Sequence, residues 1–201
     1  MTNSQIPHKN RLDCIIHMVP VEHMKPYYQP EMVFGFCSQC PRHGLNWSCP
    51  PHDFDTAAYW GRFSRAYVAG VKVSLTGSSD NKAALACYYE HQRVVNQRLL
   101  VHGATLENSA IFIAGHCELC PTCTRQSGTA CTFPTQQRYS LESLGFNVAG
   151  IINHIFGDTL QWQQDSIPEY MHIVAGVFSN TVLDEHELKN ILLGSQKDVA
   201  T

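Results

Sequence analysis

Seven of the nine cysteines in this chain of 201 residues fall in two short segments, so any fold it adopts must hold two knots of thiols where a bound group can reach them. The denser segment runs Gly115-His116-Cys117-Glu118-Leu119-Cys120-Pro121-Thr122-Cys123, followed by Cys131 and Pro134, which is C-x2-C-x2-C-x7-C-x2-P. Three thiolates this close together suit a cubane 4Fe–4S cluster. Each cysteine reaches a different iron while the backbone between them wraps the inorganic sulfurs with N–H donors, and Cys131 takes the fourth iron. Zinc is the alternative, although structural zinc usually draws on two separated C-x2-C knuckles. Inert buried thiols belong in apolar elements, whereas Cys117, Cys120 and Cys123 lie among polar and turn-forming residues.

The first segment, 35–53, supplies only Cys37, Cys40 and Cys49, in a C-x2-C-x8-C-P-P pattern. Three thiolates leave one iron of a cubane open, or filled by His52, His43, Cys14 or an exogenous ligand. An open iron is a Lewis acid able to hold a small substrate. A closed cluster or a zinc site completed by a fourth protein ligand fits the same spacing. Pro50 and Pro51 remove backbone donors and stiffen the chain, while Trp47 is either a shield against water or an ordinary core residue. Of the eleven histidines, only His43, His52 and His116 stand beside cysteine ligands, where tuning by hydrogen bonds is their expected role.

The rest of the composition narrows the setting. A net charge of -3, with fourteen scattered Lys and Arg, offers no basic face for phosphates, so no nucleic-acid partner is expected. The polar start, 1–13, lacks the apolar core of a secretory signal, and no stretch approaches the roughly 20 apolar residues that span a bilayer. A cytoplasmic location away from membranes is the expectation. Reducing compartments keep thiols free and an odd count cannot pair fully, which favours ligation over structural disulfides; a secreted chain would reverse that reading. No P-loop, dinucleotide fingerprint, C-x3-C-x2-C triplet or nucleophile elbow is present.

Hydrophobic patterning predicts strands near 14–19, 67–75, 110–114 and 171–178. Between them it predicts a long helix capped by Asp80 and stopped by Gly103, a short one from Ser140 to Gly145, a pattern from Val148 to Gly157, and a last helix from Asp184 to Leu193. Cys87, inside the long helix, reads as a small buried hydrophobe. The expectation is a single domain, 1–201, of α/β or α+β class. It has a small sheet of three to four strands with packed helices, and cysteine-rich cluster-binding loops at 35–53 and 115–134 emerge at strand ends.

The two segments together resemble a family of small prokaryotic predicted metal-binding proteins whose reaction is not firmly assigned. The resemblance rests on Cys37-x2-Cys40 with Trp47-Ser48-Cys49-Pro50-Pro51, then Gly115-x-Cys117-x2-Cys120-x2-Cys123 and Cys131-x2-Pro134. The run from Ser140 through Glu142 and Gly145 to Val148 adds a serine, an acidic residue and a glycine at similar spacing. It implies metal binding, iron–sulfur by preference, in an anaerobic or redox setting, without a known substrate. His116 stands where the family pattern has a basic residue, and Thr132 where an arginine is common.

Three functions follow as expectations. The leading one is an iron–sulfur redox protein with two 4Fe–4S clusters, in which the Cys117 set handles electrons and the Cys37 set is a second centre, in one form with an open iron. The alternatives are a non-redox or sulfur-handling enzyme working at a three-cysteine cluster, and a zinc-stabilised interaction module without catalysis. The partner would be an electron donor or acceptor protein, or a small-molecule substrate.

Overall fold

The two longest apolar stretches pair with each other at the centre of one sheet. In the computed structural model, which describes residues 12–103, 105–161 and 166–194, these are β2 (Arg65–Ser74) and β4 (Tyr170–Ser179). They are flanked by β1 (Leu12–Pro20) and β3 (Ser109–Phe112), giving the order β1-β2-β4-β3 with every neighbouring pair antiparallel. Gly70 lies opposite Val174, and Phe112 opposite Gly176. Because both sides of β4 face packed layers, its side chains are buried almost without interruption, which is why it reads as an apolar run and not as an alternation.

The strand–helix–strand alternation seen in the sequence is present in a split form. Both β2 and β3 run antiparallel to β4, so they are parallel to each other. The 23-residue helix α3 (Asn81–Gly103) links them as a crossover, and β4 later fills the gap between them. Alternation along a chain does not say which strand will slot between two others. The mixed helix-and-sheet class and the four strands stand as read; the arrangement is antiparallel throughout.

Two apolar layers enclose the sheet. On one face Tyr67, Val71, Ile173 and Val177 meet Tyr88, Val95 and Leu99 of α3, and Leu188 and Leu192 of α5 (Glu185–Leu193). On the other, Val68, Val174 and Phe178 meet Phe112, Phe146, Trp60, and Ile151 and Ile152 of α4 (Val148–Phe156). The helices begin where capping chemistry predicts. Asp80 accepts from the Ala83 N–H at 2.8 Å, Asn147 from Gly150 at 3.0 Å and Asp184 from His186 at 2.8 Å.

Residues 21–37 are largely helical in spite of Pro26 and Pro30. A 3-10 turn (Val21–Tyr27) leads into α1 (Pro30–Cys37), where Pro30 occupies the helix start, a position whose N–H has no helical partner. A further short helix, α2 (Thr56–Gly61), is capped by Asp55. The polar start lies outside the described residues up to position 11, and among the described residues no helix is long and apolar enough to cross a membrane.

Two exits from this framework set up the cysteine segments. The C-terminal residue of α1 is Cys37 itself. Beyond β3 the chain passes through Gly115, at φ 78°, into the second segment, and returns where Ile113 N–H donates to the Tyr139 carbonyl at 3.0 Å. The second segment is thus a closed excursion from the sheet edge.

Candidate metal centre

The base of that excursion is fixed by a buried amide. Asn96 of α3 donates to the Ala114 carbonyl and accepts from the Ala114 N–H, both at 2.9 Å. A 3-10 turn, Thr124–Ser127, ends on left-handed Gly128 and turns the loop back on itself. Cys117, Cys120, Cys123 and Cys131 then line one cavity, the four residues that spacing alone had grouped. Leu119, Phe133 and Gln137 complete the wall from the same segment, and Asn46, Trp47 and Ser48 come from the other one.

The two segments are interlocked. Cys117 N–H donates to Ser48 Oγ at 2.9 Å, Trp47 Nε1 to the Thr129 carbonyl at 3.1 Å, and Gln137 Nε2 to the Trp47 carbonyl at 3.0 Å. Arg125 reaches across to three carbonyls, Asn46 at 2.7 Å, Cys49 at 2.5 Å and Pro51 at 2.6 Å, and its guanidinium lies 5.1 Å from the Trp47 ring centre. Trp47 is therefore a wall of the cavity and a tie between segments. Arg42 donates to the ring of His116, placing a cation beside that imidazole.

In the first segment successive tight turns gather the thiols. Cys40 N–H donates to the Cys37 carbonyl and Cys49 N–H to that of Asn46, both at 3.0 Å. Burial pushes the Cys37 thiol up to about 11, and the neighbouring Cys49, Glu142 and Cys40 push the same way. Burial also raises Cys49, against the Ser48 hydroxyl, Arg125 and Arg42. At Cys117 burial again raises the thiol, opposed by the backbone N–H groups of Leu119 and Arg138. Crowded, partly desolvated thiols of this kind stay protonated until a strong positive charge is supplied, and a coordinated metal supplies it.

The residue chemistry is that of a thiolate-bound metal group: four cysteines line one cavity and three more stand within electrostatic reach of one another. Among the described residues, no three Cys, His, Asp or Glu side chains converge closely enough to hold a single ion.

The other candidate ligands separate clearly. Cys14 is fully buried in the sheet core, opposite Val71 on β1, with its thiol pushed up to about 12 by burial; it stands among core residues and not among the first three cysteines. His43 is exposed. His52 packs between Phe54 and Tyr139, and its Nε2 meets the Ser143 carbonyl at 2.6 Å. Cys87 and His91 interact one turn apart on α3, Sγ to Nδ1 at 3.7 Å.

Sequence reasoning gave no role to Ser48, Arg125 or Glu142. Ser48 stands only as one member of the 47–51 run and nothing local marks Arg125, since their partners lie 69 to 79 residues away. Glu142 sits in a 3-10 turn, Glu142–Leu144, and its Oε2 is buried without a hydrogen-bond partner. Burial raises its carboxyl, against its own N–H and the Ser140 hydroxyl. The Ser140–Glu142–Gly145 spacing was the available signal.

A family model described as predicted metal-binding protein (DUF2284) matches residues 27–178, a stretch that contains both cysteine segments and the turn that carries Glu142. No curated protein and no solved structure matches the chain.

Proposed function

The chain belongs to the DUF2284 family of predicted metal-binding proteins, and from that premise we propose that it is an iron–sulfur protein of electron transfer, with two 4Fe–4S groups. Cys117, Cys120, Cys123 and Cys131 would hold one, and Cys37, Cys40 and Cys49 would anchor the other. The observation that carries the reading is the single cavity lined by all four cysteines of the second segment and walled by Asn46, Trp47 and Ser48 of the first. When bound, such a group supplies reversible one-electron chemistry at a potential set by charge, hydrogen bonds and solvent exposure.

The residues around it serve that chemistry by position. Trp47 and Phe133 line the cavity and limit water around it. The Leu119 and Arg138 N–H groups stabilise negative charge on the Cys117 sulfur. Ser48 and Arg125 hold the two segments in one block, so the centres keep a fixed separation, which suits passage of an electron from one to the other. A reducing compartment such as the cytoplasm matches seven cysteines kept as ligands.

Iron, zinc and acid-labile sulfide measured on protein purified without oxygen test the reading. About eight iron and eight sulfide per chain are expected, with an absorbance that bleaches on reduction. Stoichiometric zinc without sulfide would overturn it in favour of a zinc-stabilised module.

A further inference from the structure

The first segment has three thiols and no obvious fourth ligand, and the structure narrows the choice. Cys14 belongs to the sheet core, His43 is exposed, and His52 already directs Nε2 at the Ser143 carbonyl. Glu142, the neighbour of Ser143, is different. Its Oε2 is buried and meets no donor, although a buried carboxylate oxygen normally finds one, and its absence calls for an explanation such as an ion.

The turn that carries this carboxylate, Glu142–Leu144, is held firmly against α1, the helix that ends in Cys37. Gln29 N–H, just before α1, donates to the Gly145 carbonyl at 2.9 Å, and a Cβ at Gly145 would come within 3.0 Å of Pro30, so the turn and the helix are seated tightly. The Ser140 and Ser143 side chains brace the turn from within, Ser143 N–H donating to Ser140 Oγ at 3.1 Å and Ser143 Oγ to the Ser140 carbonyl at 2.9 Å. From there Glu142 acts electrostatically on Cys37 and on Tyr88 of α3.

We propose that Glu142 is the fourth protein ligand of the centre anchored by Cys37, Cys40 and Cys49, its Oε2 completing a three-thiolate, one-carboxylate set. This rests on the reading that the first segment holds a metal group, and it closes that group to exogenous ligands. A carboxylate in place of a fourth thiolate makes the first centre harder in its donor chemistry than the all-cysteine second one. The two centres of one protein thereby differ in affinity and potential.

Glu142→Gln keeps the shape of the side chain and removes the ligating charge; Glu142→Cys restores an anionic ligand. Wild type and both variants are purified without oxygen. Iron, zinc and sulfide are counted, the retention of metal against a chelator is timed, and EPR spectra of the oxidised and reduced forms are recorded, with circular dichroism to verify folding. For Glu142→Gln we expect metal loss from one of the two centres to quicken by at least about tenfold, with the other centre's signal unchanged, and Glu142→Cys to regain retention. Full retention and unchanged spectra in Glu142→Gln would overturn the ligand assignment and leave the metal reading intact. A wild-type chain without bound metal would overturn both, and a Glu142→Gln protein that loses both centres while still folded would reassign Glu142 to general support of the site.

Discussion

Arg125 shows how much a single side chain can hold. Its guanidinium donates to carbonyls of Asn46, Cys49 and Pro51, and lysine has neither the planar fork nor the number of donors to replace it. Arg125→Lys should cost about 2 kcal/mol of stability, from charge-assisted bonds lost at a partly exposed site, and should speed chelator access to the Cys117 set. Unchanged denaturant midpoints would disprove the tie. A second residue-scale case is Asp158, away from the cysteines. Burial works against its charge, but hydrogen bonds from Lys72 at 2.9 Å, Tyr170 Oη at 2.8 Å and the Thr159 N–H at 2.7 Å hold its carboxyl below the usual range. His172 Nε2, 3.2 Å away on β4, is kept on the neutral side by burial. A carboxyl depressed in the folded state stabilises the protein above the unfolded value, near pH 3.9, and that stabilisation fades as pH falls through the folded one. Asp158→Asn should therefore lower stability by about 1 kcal/mol at neutral pH, with the gap to wild type closing in acid, as read by urea unfolding at several pH values.

At the scale of elements, the sheet depends on close backbone approach at its centre. Gly176 of β4 sits opposite Val68, and a Cβ there would stand 2.9 Å from the Tyr67 carbonyl oxygen. Gly176→Val should destabilise by about 3 kcal/mol, because the strand is fixed on both sides and backbone cannot yield cheaply. A shift in thermal midpoint within error would contradict this. Such elements were readable in the sequence because their causes are local: β-branched runs for β2 and β4, Asp80 and Gly103 at the ends of α3, Asp184 before α5. What escaped were structures made by partners far along the chain. Proline inside a helix ordinarily breaks it, yet Pro30 opens α1, seated against the turn near Gly145. The order of strands escaped too, since no residue of β4 announces that it will divide β2 from β3. At the site, the grouping of Cys117, Cys120, Cys123 and Cys131 was legible from spacing, while Ser48, Arg125 and Glu142 gain their meaning only from neighbours that folding brings.

For the whole molecule, the core and the cysteine block are separate sources of order. Two apolar layers enclose the sheet without help from the seven cysteines, so removal of metal should leave the framework standing. After anaerobic chelation we expect far-ultraviolet circular dichroism to be largely kept and amides of β2 and β4 to stay protected from hydrogen exchange. Amides in 35–53 and 115–134 should lose protection. Collapse of the sheet together with the metal would contradict that separation. The clamp made by Arg125 also has a meaning in time. It joins carbonyls 74 to 79 residues earlier in the chain, and at roughly 5–20 residues per second a ribosome takes about 4–15 s to make that stretch. Throughout that interval Cys37, Cys40 and Cys49 are already made while the residue that locks their loop is not, so the newborn protein passes through a phase of unguarded thiols, open to oxidants and to stray metals alike.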